Sequence, residues 1–95
     1  SKEHKMVEIR IDPEQVDATG NNFKSKSDEL DTLVKYAQNQ MNNLQAVFTG
    51  QRASTIFADW SNMQPSLTNA ITTLISASDL LKRAAADFRS ADAGK

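Results

Sequence analysis

Between Ala53 and Phe88 the apolar residues recur at alternating steps of four and three: Ala53, Phe57, Trp60, Leu67, Ile71, Leu74, Leu81, Ala85 and Phe88. Gln64 and Ser78 interrupt the series. This spacing turns one stripe of an α-helix toward a partner helix, sustained for about five heptads. An earlier stretch repeats the pattern, with Val16, Phe23, Leu30, Ala37 and Leu44 at heptad spacing, flanked by Leu33, Val34, Met41 and Val47. Two such seams in so short a chain predict an all-α fold: a hairpin of two long antiparallel helices, dimerising into a four-helix bundle.

Local signals set the expected boundaries. Asp12 followed by Pro13 is a helix start, with Asp as the N-cap and Pro at the first helical position. The first helix is expected over about residues 13–47. Gly20, followed by Asn21 and Asn22, is its weak point, because glycine inside a helix costs about 1 kcal/mol against alanine. A fray or kink is expected there. Phe48-Thr49-Gly50 supplies the reversal at 48–50, since glycine takes positive φ without a Cβ penalty. The second helix is expected over about 51–91. Pro65 within it removes one backbone bond, to the Ser61 carbonyl, at a cost of about 3 kcal/mol. The seam keeps phase across Pro65, which argues for a kink; a three-helix chain split near Ser61 is the alternative. Val7, Ile9 and Ile11 alternate with Glu8 and Arg10, so residues 1–12 read as an extended or flexible arm. Residues 13–92 form the hairpin and 93–95 a C-terminal tail.

The second helix carries more apolar surface than one neighbour can cover. With Phe57 at heptad position a and Trp60 at d, position g reads Ile56, Met63, Ala70, Ala77, Ala84 and Ala91. A two-stranded coil needs only a and d, whereas an a/d/g face suits a helix that touches two neighbours. Phe57, Trp60, Met63, Leu67, Ala70, Ile71, Leu74, Ala77 and Leu81 are therefore the expected bundle-packing residues. The partner is the chain itself or a similar helical hairpin.

Charge and chemistry narrow the function by exclusion. With 11 basic and 12 acidic residues the net charge is −1, which gives no electrostatic case for nucleic acid or anionic lipid. Charges crowd before residue 36 and from Asp79 onward, while 36–51 and 60–78 carry none. The density of Ser, Thr, Asn and Gln in 60–78 is incompatible with hydrocarbon, so stable membrane insertion is not expected. No cysteine is present, and the one histidine, His4, reads as a solvated side chain. Without an HExxH, a Cys–His pair or a phosphate-cradling glycine loop, neither catalysis nor a metal or cofactor is expected. Asp28, Glu29 and Asp31 lie among Lys24, Lys26 and Lys35, which reads as a solvated, self-compensating face. The N-terminal stretch lacks the apolar core of a secretory signal peptide.

Three features coincide: a hairpin of just under one hundred residues, an aromatic-x-Gly reversal near its middle, and an aromatic four residues before an acid near its end. In this combination the chain resembles the WXG-motif (ESAT-like) family, small substrates of type VII secretion. Phe48-Thr49-Gly50 matches the W-x-G turn with Phe for Trp. Ala53, Phe57 and Trp60 resemble the small-then-aromatic pattern after that turn. Phe88-Arg89-Ser90-Ala91-Asp92 looks like the C-terminal Y-x-x-x-D/E export signal with Phe for Tyr.

The resemblance implies a protein held in the cytoplasm and then secreted as a folded helical dimer. Phe88 and Asp92 would be read by the secretion-system ATPase. The hairpins would pack antiparallel, bringing the turn of one subunit near the C-terminus of the other. F-x-x-x-D also resembles the helical helpers of larger LXG toxins, so a targeting partner of an effector is the alternative. A cytoplasmic coiled-coil adaptor and a membrane-active amphipathic protein are further readings, the last weakened by the absence of basic residues on the uncharged polar faces.

Overall fold

The computed structural model describes residues 11–93, the side chains of 92 and 93 excepted. Most of the expected N-terminal arm, including Val7, Ile9 and His4, lies outside the described residues, as do residues 94 and 95. Two helices account for the fold: α1, Pro13–Gln45, and α2, Gln51–Ala93. They lie antiparallel in a plate of 69 × 29 × 15 Å, one helix thick.

The helix ends follow from local chemistry. Asp12 holds an extended backbone and accepts the Glu14 N–H at 3.0 Å, satisfying one orphan donor of the first turn. α1 ends at Gln45, two residues before the expected Val47. The Val47 and Phe48 amides then both turn back to the Leu44 carbonyl, at 3.0 and 2.7 Å. Gly50 has φ 106°, a conformation that only glycine adopts without strain, and its carbonyl accepts the Ser54 N–H to open α2. α2 continues to Ala93, past the expected end at 91. It also runs unbroken through Pro65, so the three-helix alternative is not what the chain adopts. Pro65 and Ser61 both face outward, where water can serve the freed carbonyl.

The seam on α2 is the one read from the sequence, with its two interruptions included. Gln64 and Ser78 are turned inward like their apolar neighbours, and Ser78 is 2% exposed. On α1 the seam is Val16, Gly20, Phe23, Ser27, Leu30, Val34, Ala37 and Met41, again at steps of four and three. The heptad reading of α1 found only alternate members, because Gly20 and Ser27 are not apolar. Leu33, Leu44 and Val47, expected in or beside the stripe, are instead 62%, 41% and 79% exposed.

Gly20 corrects the expectation of a weak point. α1 passes through it without a break, and α2 comes close enough there to leave no free room for a side chain. A Cβ at Gly20 would stand 2.8 Å from Lys82 Cγ, 3.1 Å from the Ser78 carbonyl oxygen and 3.3 Å from Leu81 Cβ. Ser78 uses this proximity, donating its Oγ–H to the Gly20 carbonyl at 2.7 Å in a buried site. Ser27 is satisfied within its own helix by the Lys24 carbonyl at 2.7 Å. Replacing Ser78 with alanine is expected to remove about 1 kcal/mol. Thermal unfolding should then begin roughly 4–8 °C lower, since a domain of this size loses that much per kcal/mol. An unchanged melting temperature would show that the bond contributes nothing net.

Candidate interaction face

The two heptad rows make different surfaces. Taking the a row of α1 as Gly20, Ser27, Val34 and Met41, and that of α2 as Phe57, Gln64, Ile71, Ser78 and Ala85, the small and polar members bring the helices together. The d row holds Val16, Phe23, Leu30, Ala37 and Leu44 of α1, and Ala53, Trp60, Leu67, Leu74, Leu81 and Phe88 of α2. Around a helix the g positions adjoin d and the e positions adjoin a, so an antiparallel pair presents a d/g face and an a/e face.

The a/e side is polar and closed. Lys82 donates to Asn21 Oδ1, and Arg89 lies 3.9 Å from Glu14 and reaches the Pro13 carbonyl at 3.5 Å. The outer acid–base cluster compensates itself as expected: Lys24–Asp28, Lys26–Glu29 and Lys35–Asp31 at 3.1, 3.2 and 2.9 Å. Exposed pairs of this kind add little stability.

The d/g side is apolar and open. Leu33, Val47, Ile56 and Met63 stand at g and are 62%, 79%, 44% and 48% exposed; Leu44 at d is 41% exposed. Every large apolar d-row residue besides Leu44 is only half-buried. Midway along the plate Leu30, Leu33 and Ala37 of α1 and Trp60, Met63 and Leu67 of α2 surround a shallow depression with no polar lining. Trp60 reaches across the seam, its indole Nε1–H donating to Gln38 Oε1 at 2.7 Å. Among the described residues the fully buried side chains are no larger than Ser27 and Ser78, both in the a row, so the hairpin encloses little core of its own.

Of the residues read as bundle packing, Trp60, Met63, Leu67, Ala70, Leu74, Ala77 and Leu81 belong to the d/g face. Phe57 and Ile71 belong to the a row on the other side. Phe57 meets Phe48 edge-on, ring centroids 6.1 Å apart, so Phe48 closes the turn end of the seam. Thr49 and Gly50 are exposed in the turn. Phe88 is the half-buried last d-row residue; Asp92 is in α2, its side chain outside the described residues. Thirty-seven residues of unbroken helix separate Gln51 from Phe88, roughly 55 Å. One chain therefore does not bring the turn and the C-terminal motif together. Sequence reasoning missed Gln38 and Arg89. The heptad pattern could have flagged both, since each occupies an e position next to the seam.

Among the described residues no group of histidine, cysteine or acidic side chains could hold a metal, and no helix is long and apolar enough to cross a membrane. What the fold presents is a two-helix hairpin that leaves one apolar face uncovered. A family model described as "Proteins of 100 residues with WXG" matches residues 8–93, and the chain belongs to this WXG100 family of small helical type VII secretion proteins. Solved structures agree. The secreted protein EsxB from Bacillus anthracis strain Sterne, in selenomethionine form, is 26% identical with TM-score 0.78, over 90% of this chain and 97% of that one. A Glu→Gln mutant of EsxB gives 26% and 0.78 over 90% and 94%, and a Gly→Ala mutant 27% and 0.76 over 86% and 94%. No curated protein sequence matches the chain.

Proposed function

We propose that this protein is a small substrate of a type VII secretion system, exported as a folded helical dimer. The observation that carries the reading is the family match over nearly the whole chain, on a hairpin that leaves one apolar face uncovered. Pairing completes the core, and the partner is a second copy or a paralogous hairpin. Phe88 and Asp92, four apart on α2, form one recognition mark for the secretion ATPase: an apolar anchor and a negative charge a turn away. The Phe48-Thr49-Gly50 turn supplies the other half of a composite signal, which only an antiparallel partner can bring to the C-terminus.

Export settles the matter. The tagged protein is expected in the culture supernatant of its host and absent from the supernatant of a strain lacking the type VII ATPase. Retention in both strains, with the machine shown active on another substrate, would reject secretion and leave a helical adaptor. Export only when a larger helical toxin is co-expressed would make this chain a targeting partner instead.

A further inference from the structure

One side chain of the d/g face can be changed by chemistry. The large exposed members of that face are Leu33, Leu44, Val47, Ile56 and Met63. Four of them are inert hydrocarbon, whereas Met63 carries a thioether whose sulfur lone pairs take up oxygen. Met63 is 48% exposed and stands with Trp60 and Leu67 at the apolar depression midway along the plate. The other methionine of the described residues, Met41, lies in the a row between the helices and is only partly exposed. With no cysteine in the chain, no thiol consumes an oxidant first.

We propose that Met63 is an oxidation site, and that its sulfoxide closes the apolar face to a partner hairpin. The oxidant is a peroxide. A sulfur lone pair attacks one peroxide oxygen; the S–O bond forms as the O–O bond breaks. The departing hydroxide takes the hydrogen left on the transferred oxygen and leaves as water. Sulfur gives up two electrons and the peroxide gains them. The site stands on the single hairpin, and its consequence rests on the pairing proposed above.

The surroundings of Met63 explain the consequence. A sulfoxide oxygen is a strong acceptor, and the depression has no free donor to serve it. Of the residues that line it only Trp60 has a polar side-chain group, and its Nε1–H is already held by Gln38 Oε1 at 2.7 Å. A partner covering the face would bury the oxygen without a hydrogen bond, which weakens association about tenfold or more. In the unpaired hairpin the same oxygen stays in water. Met63 is at a g position, outside the a row that joins the helices, so the fold tolerates the change. Pairing in turn shields the sulfur, and the unpaired hairpin is the form that oxidises.

The test treats the intact chain with millimolar hydrogen peroxide at a dilution where it sediments unpaired, and follows each methionine by peptide mass mapping. Met63 is expected to oxidise several-fold faster than Met41. The oxidised protein should keep its helicity by circular dichroism and pair only at about tenfold higher concentration or above. Met63→Leu should pair normally after the same treatment. Methionine sulfoxide reductases for both epimers should together restore pairing to the oxidised wild type. Met41 reacting as fast as Met63 would overturn the site. Pairing undiminished by the Met63 sulfoxide, or lost equally in treated Met63→Leu, would overturn the consequence. Untreated protein that stays monomeric at every concentration, alone and with a paralogous hairpin, would reject the pairing reading and the consequence with it, while the two oxidation rates still decide the site.

Discussion

Replacing Phe88 or Asp92 with alanine is expected to abolish export while the hairpin stays folded. Phe88 has two roles that can be separated. As the last d-row residue it is half-buried, and truncation of a fully buried phenylalanine costs about 3–5 kcal/mol, so roughly half of that is at risk here. The rest of the seam, from Val16 to Met41 against Phe57 to Ala85, is untouched by the change. Circular dichroism should therefore show nearly unchanged helicity. Asp92 lies beyond that last seam residue and next to the end of α2, so its loss should leave stability within about 0.5 kcal/mol. Phe88→Leu divides packing from recognition, because it retains apolar burial and loses the ring. Loss of export in Phe88→Leu and Asp92→Ala, with folding and pairing intact, would identify a recognition mark. Normal secretion of Phe88→Ala and Asp92→Ala would reduce the motif to the end of a packed seam.

The second large effect concerns Gly20. By helix propensity alone, Gly20→Ala should stabilise α1 by about 1 kcal/mol. The packing opposite Gly20 works against that gain. A methyl group there would press on Lys82 Cγ and the Ser78 carbonyl and displace the Ser78 hydroxyl from the Gly20 carbonyl. A modest net loss is expected for alanine. For Gly20→Leu the helices must separate at the open end, with a cost of about 3 kcal/mol from overpacking, or more than ~10 °C in melting temperature. Because Gly20 packs against Ser78 and Lys82, far along α2 from Trp60, the Trp60–Gln38 bond should survive, which tryptophan fluorescence can follow. Thermal melts at or above the wild-type value for both variants would show that the helices do not meet at Gly20.

Much of the architecture is legible in the order of residues. Asp12-Pro13 starts α1 because a carboxylate can take an orphan amide and proline fits the first helical position. Gly50 turns the chain because it alone tolerates φ 106° at no steric cost. The candidate face was legible only in part. The g row of α2 reads as apolar from spacing, but by the same spacing Leu33 and Val47 read only as the flank of the first seam. The heptad count on α1 skipped the small residues between its apolar ones. Gly20, taken as a flaw in a helix, is a contact between two.

The sequence by itself determined the helices, their direction and the reversal between them. Those depend on periodicity, capping and backbone freedom, each a property of one segment. It also carried the resemblance to the family, since Phe48-Thr49-Gly50 and Phe88 to Asp92 stand at recognisable places in a chain of this length. Only the tertiary structure decided how near the helices come and which side of the pair stays open. Whether Gly20, Ser27, Gln64 and Ser78 interrupt a seam or build one depends on what lies opposite them, and a single helix has no record of its neighbour. Small residues on one row draw the helices together, and large residues on the next are left half-covered. From that difference in size comes the uncovered apolar face on which the proposed pairing rests.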